Sequence, residues 1–172
     1  VVFLVPVAKR VLTGGYVSMR ARLESVGVTV KNLGAAVALG LALGGFYLFV
    51  GRLGGGGVPS GEEVTQSPLL VIVLAVATAI AEQLVFMGYM PPRLVKIWKN
   101  EWGAVITTAV LFGVVHLPIL IFGYHLPMQS VAGQFLLVFL LGLGNGVVML
   151  RVKNVIAPIL AHALWGLAVL LV

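Results

Sequence analysis

The feature that most constrains this chain is a series of long apolar runs separated by short charged stretches. Five stand out: Leu33 to Val50, Pro68 to Met90, Trp102 to Phe122, Ser130 to Leu150 and Val155 to Val172. Each holds 18–23 residues, enough at 1.5 Å per residue to cross roughly 30 Å of hydrocarbon. Inside a bilayer every backbone polar group must be satisfied within the segment, so runs of this length fold as helices. The expected fold is all-α: a polytopic transmembrane helical bundle with at least five spans. Composition agrees, with 60% hydrophobic and 9% charged residues and a mean hydropathy of +1.14, against about 25% charged in a soluble domain.

The spans use most of the length, so residues 1–172 read as a single integral-membrane domain. Val1 to Ala8 is apolar and precedes Lys9 and Arg10; it reads as the tail of a truncated N-terminal span rather than a cleavable signal. Arg52 to Gly61, with Gly54–Gly57, Pro59 and Gly61, reads as a flexible linker with no phosphate-loop signature. Cysteine is absent, which excludes disulfides, thiolate metal sites and a cysteine nucleophile. The net charge of +6 would point to nucleic acid in a soluble protein. Here the basic residues flank apolar runs and follow the positive-inside rule, so no nucleic-acid partner is expected and membrane lipid is.

Basic excess alternates from loop to loop. Lys9, Arg10, Arg20, Arg22 and Lys31 precede the first full span, Arg93, Lys96 and Lys99 follow the second, and Arg151 and Lys153 follow the fourth. Gly123 to Gln129 has no Lys or Arg. The basic ends are therefore expected to be cytoplasmic. Gly40 with Gly44, and Gly142 with Gly146, are i, i+4 pairs that let helices approach closely; they read as packing within the chain, with dimerisation as the alternative. Tyr89, Trp98, Trp102 and Tyr124 read as interfacial belts.

Three ionisable groups interrupt these runs: Glu82, His116 and His162. A charge at a helix centre costs about 2.5–3.5 kcal/mol on insertion scales, so one that persists points at a cavity or a partner. From the nearest loop charges, Glu82 lies roughly 16 Å deep, His162 roughly 14 Å and His116 roughly 22 Å along straight helices. The first two share a depth toward the cytoplasmic half; His116 joins them only if its helix tilts, enters late, or kinks at Pro118. A carboxylate beside imidazole can take a proton from water and pass it to a leaving group. Two imidazoles and a carboxylate can instead hold zinc with a position open for water, although no H-E-x-x-H pattern is present. Phe112 shares a helix face with His116, as Gly166 does with His162. Asn145 could supply an amide, but no feature of the sequence places it at the site. Thr107, Thr108 and Gln134 read as polar packing groups and His125 as solvated or interfacial.

Three segments resemble the motifs of the CPBP family, the CAAX proteases and bacteriocin-processing enzymes also called Abi. Ala81-Glu82-Gln83-Leu84-Val85-Phe86-Met87-Gly88-Tyr89 resembles the first, a glutamate pair, three residues and an arginine. Leu111-Phe112-Gly113-Val114-Val115-His116 resembles the second, Phe-x-x-x-His. Ala157-Pro158-Ile159-Leu160-Ala161-His162 and its sequel resemble the third, a histidine followed four residues later by Asn or Asp. The resemblance covers residues 68–172. It implies intramembrane peptide-bond hydrolysis, like that of CAAX prenyl proteases, in which Glu82 and His116 activate a water and His162 stabilises the oxyanion. No cofactor is expected; a divalent metal such as zinc, if bound, would be held by Glu82, His116 and His162. A membrane-associated peptide or protein substrate, a prokaryotic cell membrane and a site toward the cytoplasm are further expectations.

The chain departs from those motifs at three supporting positions: Gln83 stands for the second glutamate, Met87 for the arginine and Gly166 for the Asn or Asp. These departures motivate two alternatives, a proteolytically weak or silent relative that binds membrane partners and a small-molecule carrier subunit.

Overall fold

The computed structural model describes residues 19–53 and 67–171. The expected truncated span at Val1–Ala8, the basic pair Lys9 and Arg10, and the glycine-rich stretch 54–61 lie outside the described residues. Among the described residues all regular structure is helical. A short helix α1 (Met19–Ser25) precedes α2 (Leu33–Leu53) and α3 (Pro68–Gln83). A π-helical turn (Leu84–Tyr89) joins α3 to α4 (Met90–Trp98). Then come α5 (Glu101–Pro118), a second π-helical turn (Ile119–Gly123), α6 (Met128–Val152) and α7 (Ile156–Leu171).

The helix ends follow local chemistry. Ser67 caps α3, its hydroxyl accepting from Leu70 N at 3.3 Å, and Pro68 fills the first turn, where no N–H is needed. Asn100 caps α5 by accepting from Gly103 N at 2.9 Å. Lys99 and Lys153 stop α4 and α6 in the left-handed region, at φ of 54° and 55°. Both π-helical turns abut prolines, Pro91 and Pro92 in one case and Pro118 in the other. These residues have no N–H for the regular i to i−4 ladder, so the ladder is interrupted there. Pro118 was the expected kink; it ends the α-helical part of its span, which continues as the wider turn.

Among the described residues four spans are long and apolar enough to cross a membrane: Leu33–Val50, Ile72–Trp98, Glu101–Gly123 and Met128–Val152. The second runs past the expected end at Met90 because helix continues through both the π-helical turn and α4. The fifth expected span is represented by α7, which at 16 residues falls short of the ordinary 17–25. Among the described residues four helices reach spanning length, with α7 as a fifth, shorter apolar helix. The linker also starts later than Arg52, since α2 continues to Leu53.

Small residues set the packing. A side chain at Gly40 would strike Ala157 and Leu160, and one at Gly44 would strike Leu164 and Ala161, so α2 lies directly on α7. A side chain at Gly142 would meet Ala109 and Phe112, and one at Gly146 would meet Val105, which seats α6 on α5. Both glycine pairs therefore serve contacts within the chain. Tyr47 of α2 is buried and donates its phenol to the carbonyl oxygens of Leu140 and Leu141, each at 3.3 Å.

A side-chain clamp closes one end of the bundle. Asn154, fully buried, donates to the carbonyls of Thr29 (2.9 Å) and Lys31 (2.8 Å) and accepts from Ile156 N (3.0 Å). Val155 N donates to Gly27 O at 2.9 Å, and Asn32 donates to Val152 O at 3.0 Å. The segment between α1 and α2 is thereby tied to the α6–α7 turn. The expected belt residues Tyr89, Trp98, Trp102 and Tyr124 are all exposed.

Candidate active site

The three ionisable groups converge although they come from α3, α5 and α7. Glu82 Oε2 lies 3.5 Å from His116 Nε2 and 3.8 Å from His162 Nε2. The depth mismatch of straight helices does not keep His116 away, so α5 is offset or inclined relative to α3 and α7. Glu82 and His116 keep 28% and 22% of their side chains exposed while His162 keeps 10%, so the cluster is set in the protein with one side open.

Glu82 Oε2 is itself buried and has no hydrogen-bond partner. A buried carboxylate oxygen normally has one, and leaving it orphaned is costly. Here the orphan faces two imidazole nitrogens at 3.5 and 3.8 Å, at and just beyond hydrogen-bond reach.

The second nitrogen of each imidazole is also held. His116 Nδ1 lies 2.7 Å from Phe112 O. A carbonyl can only accept, so His116 carries its proton on Nδ1 and presents Nε2 as a lone pair when neutral. That lone pair faces Glu82 Oε2, and two acceptors at this range need a shared proton or a donor lying beside both. His162 Nδ1 lies 2.8 Å from Gln83 Nε2, and Gln83 Oε1 accepts from Asn145 Nδ2 at 3.3 Å. Gln83 and Asn145 are fully buried.

Phe112, also fully buried, stands edge-on to both imidazoles, with centroids 4.7 Å from His116 and 5.5 Å from His162, and Phe86 packs against it at 5.3 Å. Edge-to-face contacts of this kind restrict the ring orientations the histidines can adopt. The expected supporting position of Phe112 is thus one of contact with both histidines.

Two other supporting positions bring no polar group to the cluster. Met87 is fully buried in the hydrophobic core, near Gly146 of α6, and supplies no charge to Glu82. At Gly166 only Ala75 lies near the place of a side chain, at 3.6 Å, and no donor stands there. Asn145 does reach the site, but through Gln83 and not in place of the donor missing at 166. The sequence shows it only as a carboxamide between Gly144 and Gly146 in a span without charged residues, which marks it as polar but does not place it at the site. Thr108 is buried with its hydroxyl unpartnered.

Glu82, His116 and His162 are the donors a divalent cation would use. Among the described residues, however, no three His, Cys, Asp or Glu side chains are arranged to hold one.

The spans and this cluster together define a helical integral membrane protein with a carboxylate–imidazole centre built between its helices. The family model of the type II CAAX prenyl endopeptidase Rce1-like proteins matches residues 64–168, more than half of the chain, and the chain belongs to that family. At family level it is a CAAX-type intramembrane protease. No curated protein and no solved structure matches the chain.

Proposed function

We propose that this chain hydrolyses a peptide bond of a membrane-associated peptide or protein, using a water activated by Glu82 and His116. The observation that carries the reading is the orphaned Glu82 Oε2 facing both Nε2 atoms. A water there can donate one proton to the carboxylate while lying against the His116 lone pair. Its oxygen attacks the scissile carbonyl carbon, the C–N bond breaks, and the proton held by the Glu82–His116 pair passes to the leaving amine. His162, from the other side of the carboxylate, donates to the developing oxyanion. No metal or cofactor enters these steps. The alternating loop charges favour a site toward the cytoplasmic side; the setting proposed is one integral-membrane domain in a prokaryotic cell membrane.

The test is peptidase activity of the purified protein in lipid nanodiscs on a prenylated CAAX peptide. Glu82→Ala is expected to lower kcat by about 10²–10⁴-fold, the range of a positioned acid–base group. Undiminished activity in that variant would sink the mechanism. The second reading, a proteolytically silent partner-binding relative, is favoured by Met87 in the apolar core and by the empty position at Gly166. It expects a cellular phenotype that Glu82→Gln leaves intact.

A further inference from the structure

We infer that Gln83 and Asn145 act together as a positioning pair that fixes His162 in the tautomer carrying its proton on Nε2. The chain of contacts has one direction. Asn145 Nδ2 donates to Gln83 Oε1 at 3.3 Å. With its oxygen so engaged, Gln83 turns its NH₂ to His162 Nδ1, at 2.8 Å. An amide nitrogen has no lone pair to offer, so His162 Nδ1 must be the acceptor and its proton sits on Nε2. That N–H is the atom 3.8 Å from Glu82 Oε2, aimed at the space between the three groups.

The reverse arrangement, with both amides turned over, fits less well. Asn145 is fully buried, and its Oδ1 has no partner. Turning it over would give that oxygen a bond but leave an NH₂ with both hydrogens unmet. Buried N–H groups without any partner are rarer than carbonyl oxygens short of one.

The two histidines are then opposite tautomers. His116, tied by Nδ1–H to Phe112 O, shows an acceptor to the centre; His162 shows a donor. A glutamate at position 83 would accept where Gln83 donates and would favour a proton on His162 Nδ1, leaving its Nε2 bare. Gln83 is thus a change in the sense of the hydrogen bond rather than a weakened copy of an acid. The tautomer follows from hydrogen bonding alone; its consequence for rate rests on the hydrolytic reading above.

The experiment is ¹⁵N NMR of the intact protein in nanodiscs, labelled at histidine and glutamine nitrogens, with His162 assigned by the signals lost in His162→Gln. The expected result is an unprotonated Nδ1 and a protonated Nε2, with a scalar coupling across the hydrogen bond from Gln83 Nε2 to His162 Nδ1. A protonated Nδ1 on His162 overturns the inference. In Gln83→Leu the coupling disappears and the Nδ1–H form is expected to appear; an unchanged His162 spectrum overturns the role given to Gln83. In the peptidase assay the same variant should lose about 10–100-fold in kcat, as second-sphere orienting partners command elsewhere, with little change in KM. A wild-type protein with the stated tautomer but no peptidase activity would defeat the hydrolytic reading and leave this one standing.

Discussion

At the residue scale the centre is two imidazoles facing one carboxylate oxygen, and on the proposed reading they divide the work. Glu82, His116 and His162 were legible because an ionisable group in an apolar span costs enough to demand a reason. The work of Gln83 was not, because its partners lie 79 and 62 residues away, in α7 and α6. Sequence alone shows it only as the neutral replacement of an acid. Met87 and Gly166 were legible as departures, and the structure gives them different weights. Met87 is filled core with no space for a cation, whereas Gly166 has only Ala75 beside it. Gly166→Asn is therefore expected to fold and to add a donor on the His162 side. If the oxyanion is short of donors, peptidase kcat should rise, by up to about 10²-fold where a full oxyanion contact forms. An unchanged kcat in a folded variant would mean that His162 already suffices.

At the element scale, span existence was readable and span shape was not. Apolar length gives helices, but not the close contact that the π-helical turn Leu84–Tyr89 makes at Gly88. A side chain there would strike the backbone carbonyl of Val26, in the segment between α1 and α2. The glycine pairs were readable as close approaches, though their partners follow only from the fold. Gly142 bears on Ala109 and Phe112, each 3.1 Å from the place of its missing Cβ, and Phe112 in turn braces both histidines. Gly142→Leu should overpack this contact at a cost of about 1–3 kcal/mol and lower the melting temperature in detergent. Gly45→Leu, at an exposed glycine with nothing within 4 Å of its Cβ position, is the control and should melt close to wild type. Equal destabilisation by the two would show that the α5–α6 contact is not tight.

For the whole molecule, the sequence supplied an expected orientation and a depth along each helix but not the lateral arrangement that brings the helices together. Straight-helix depths kept His116 apart from its partners because depth alone carries no information about tilt. The orientation itself is open to direct measurement, since the chain has no cysteine to mask. Single cysteines at the exposed positions Lys96 and Lys153 are expected to react with an impermeant thiol reagent only from the cytoplasmic face, and one at Gln129 only from the opposite face. The reverse pattern would move the site to the other side. The clamp around Asn154 bears on how much of the chain a working protein requires. The family match starts at residue 64, yet Thr29 and Lys31, which Asn154 holds, and Gly40 and Gly44, on which α7 lies, all precede it. A fragment cut to the family boundaries would uncover one flank of α7, the helix that carries His162, and strand a buried amide at its base. The smallest autonomous unit is set by these contacts and is larger than the stretch by which kinship is detected.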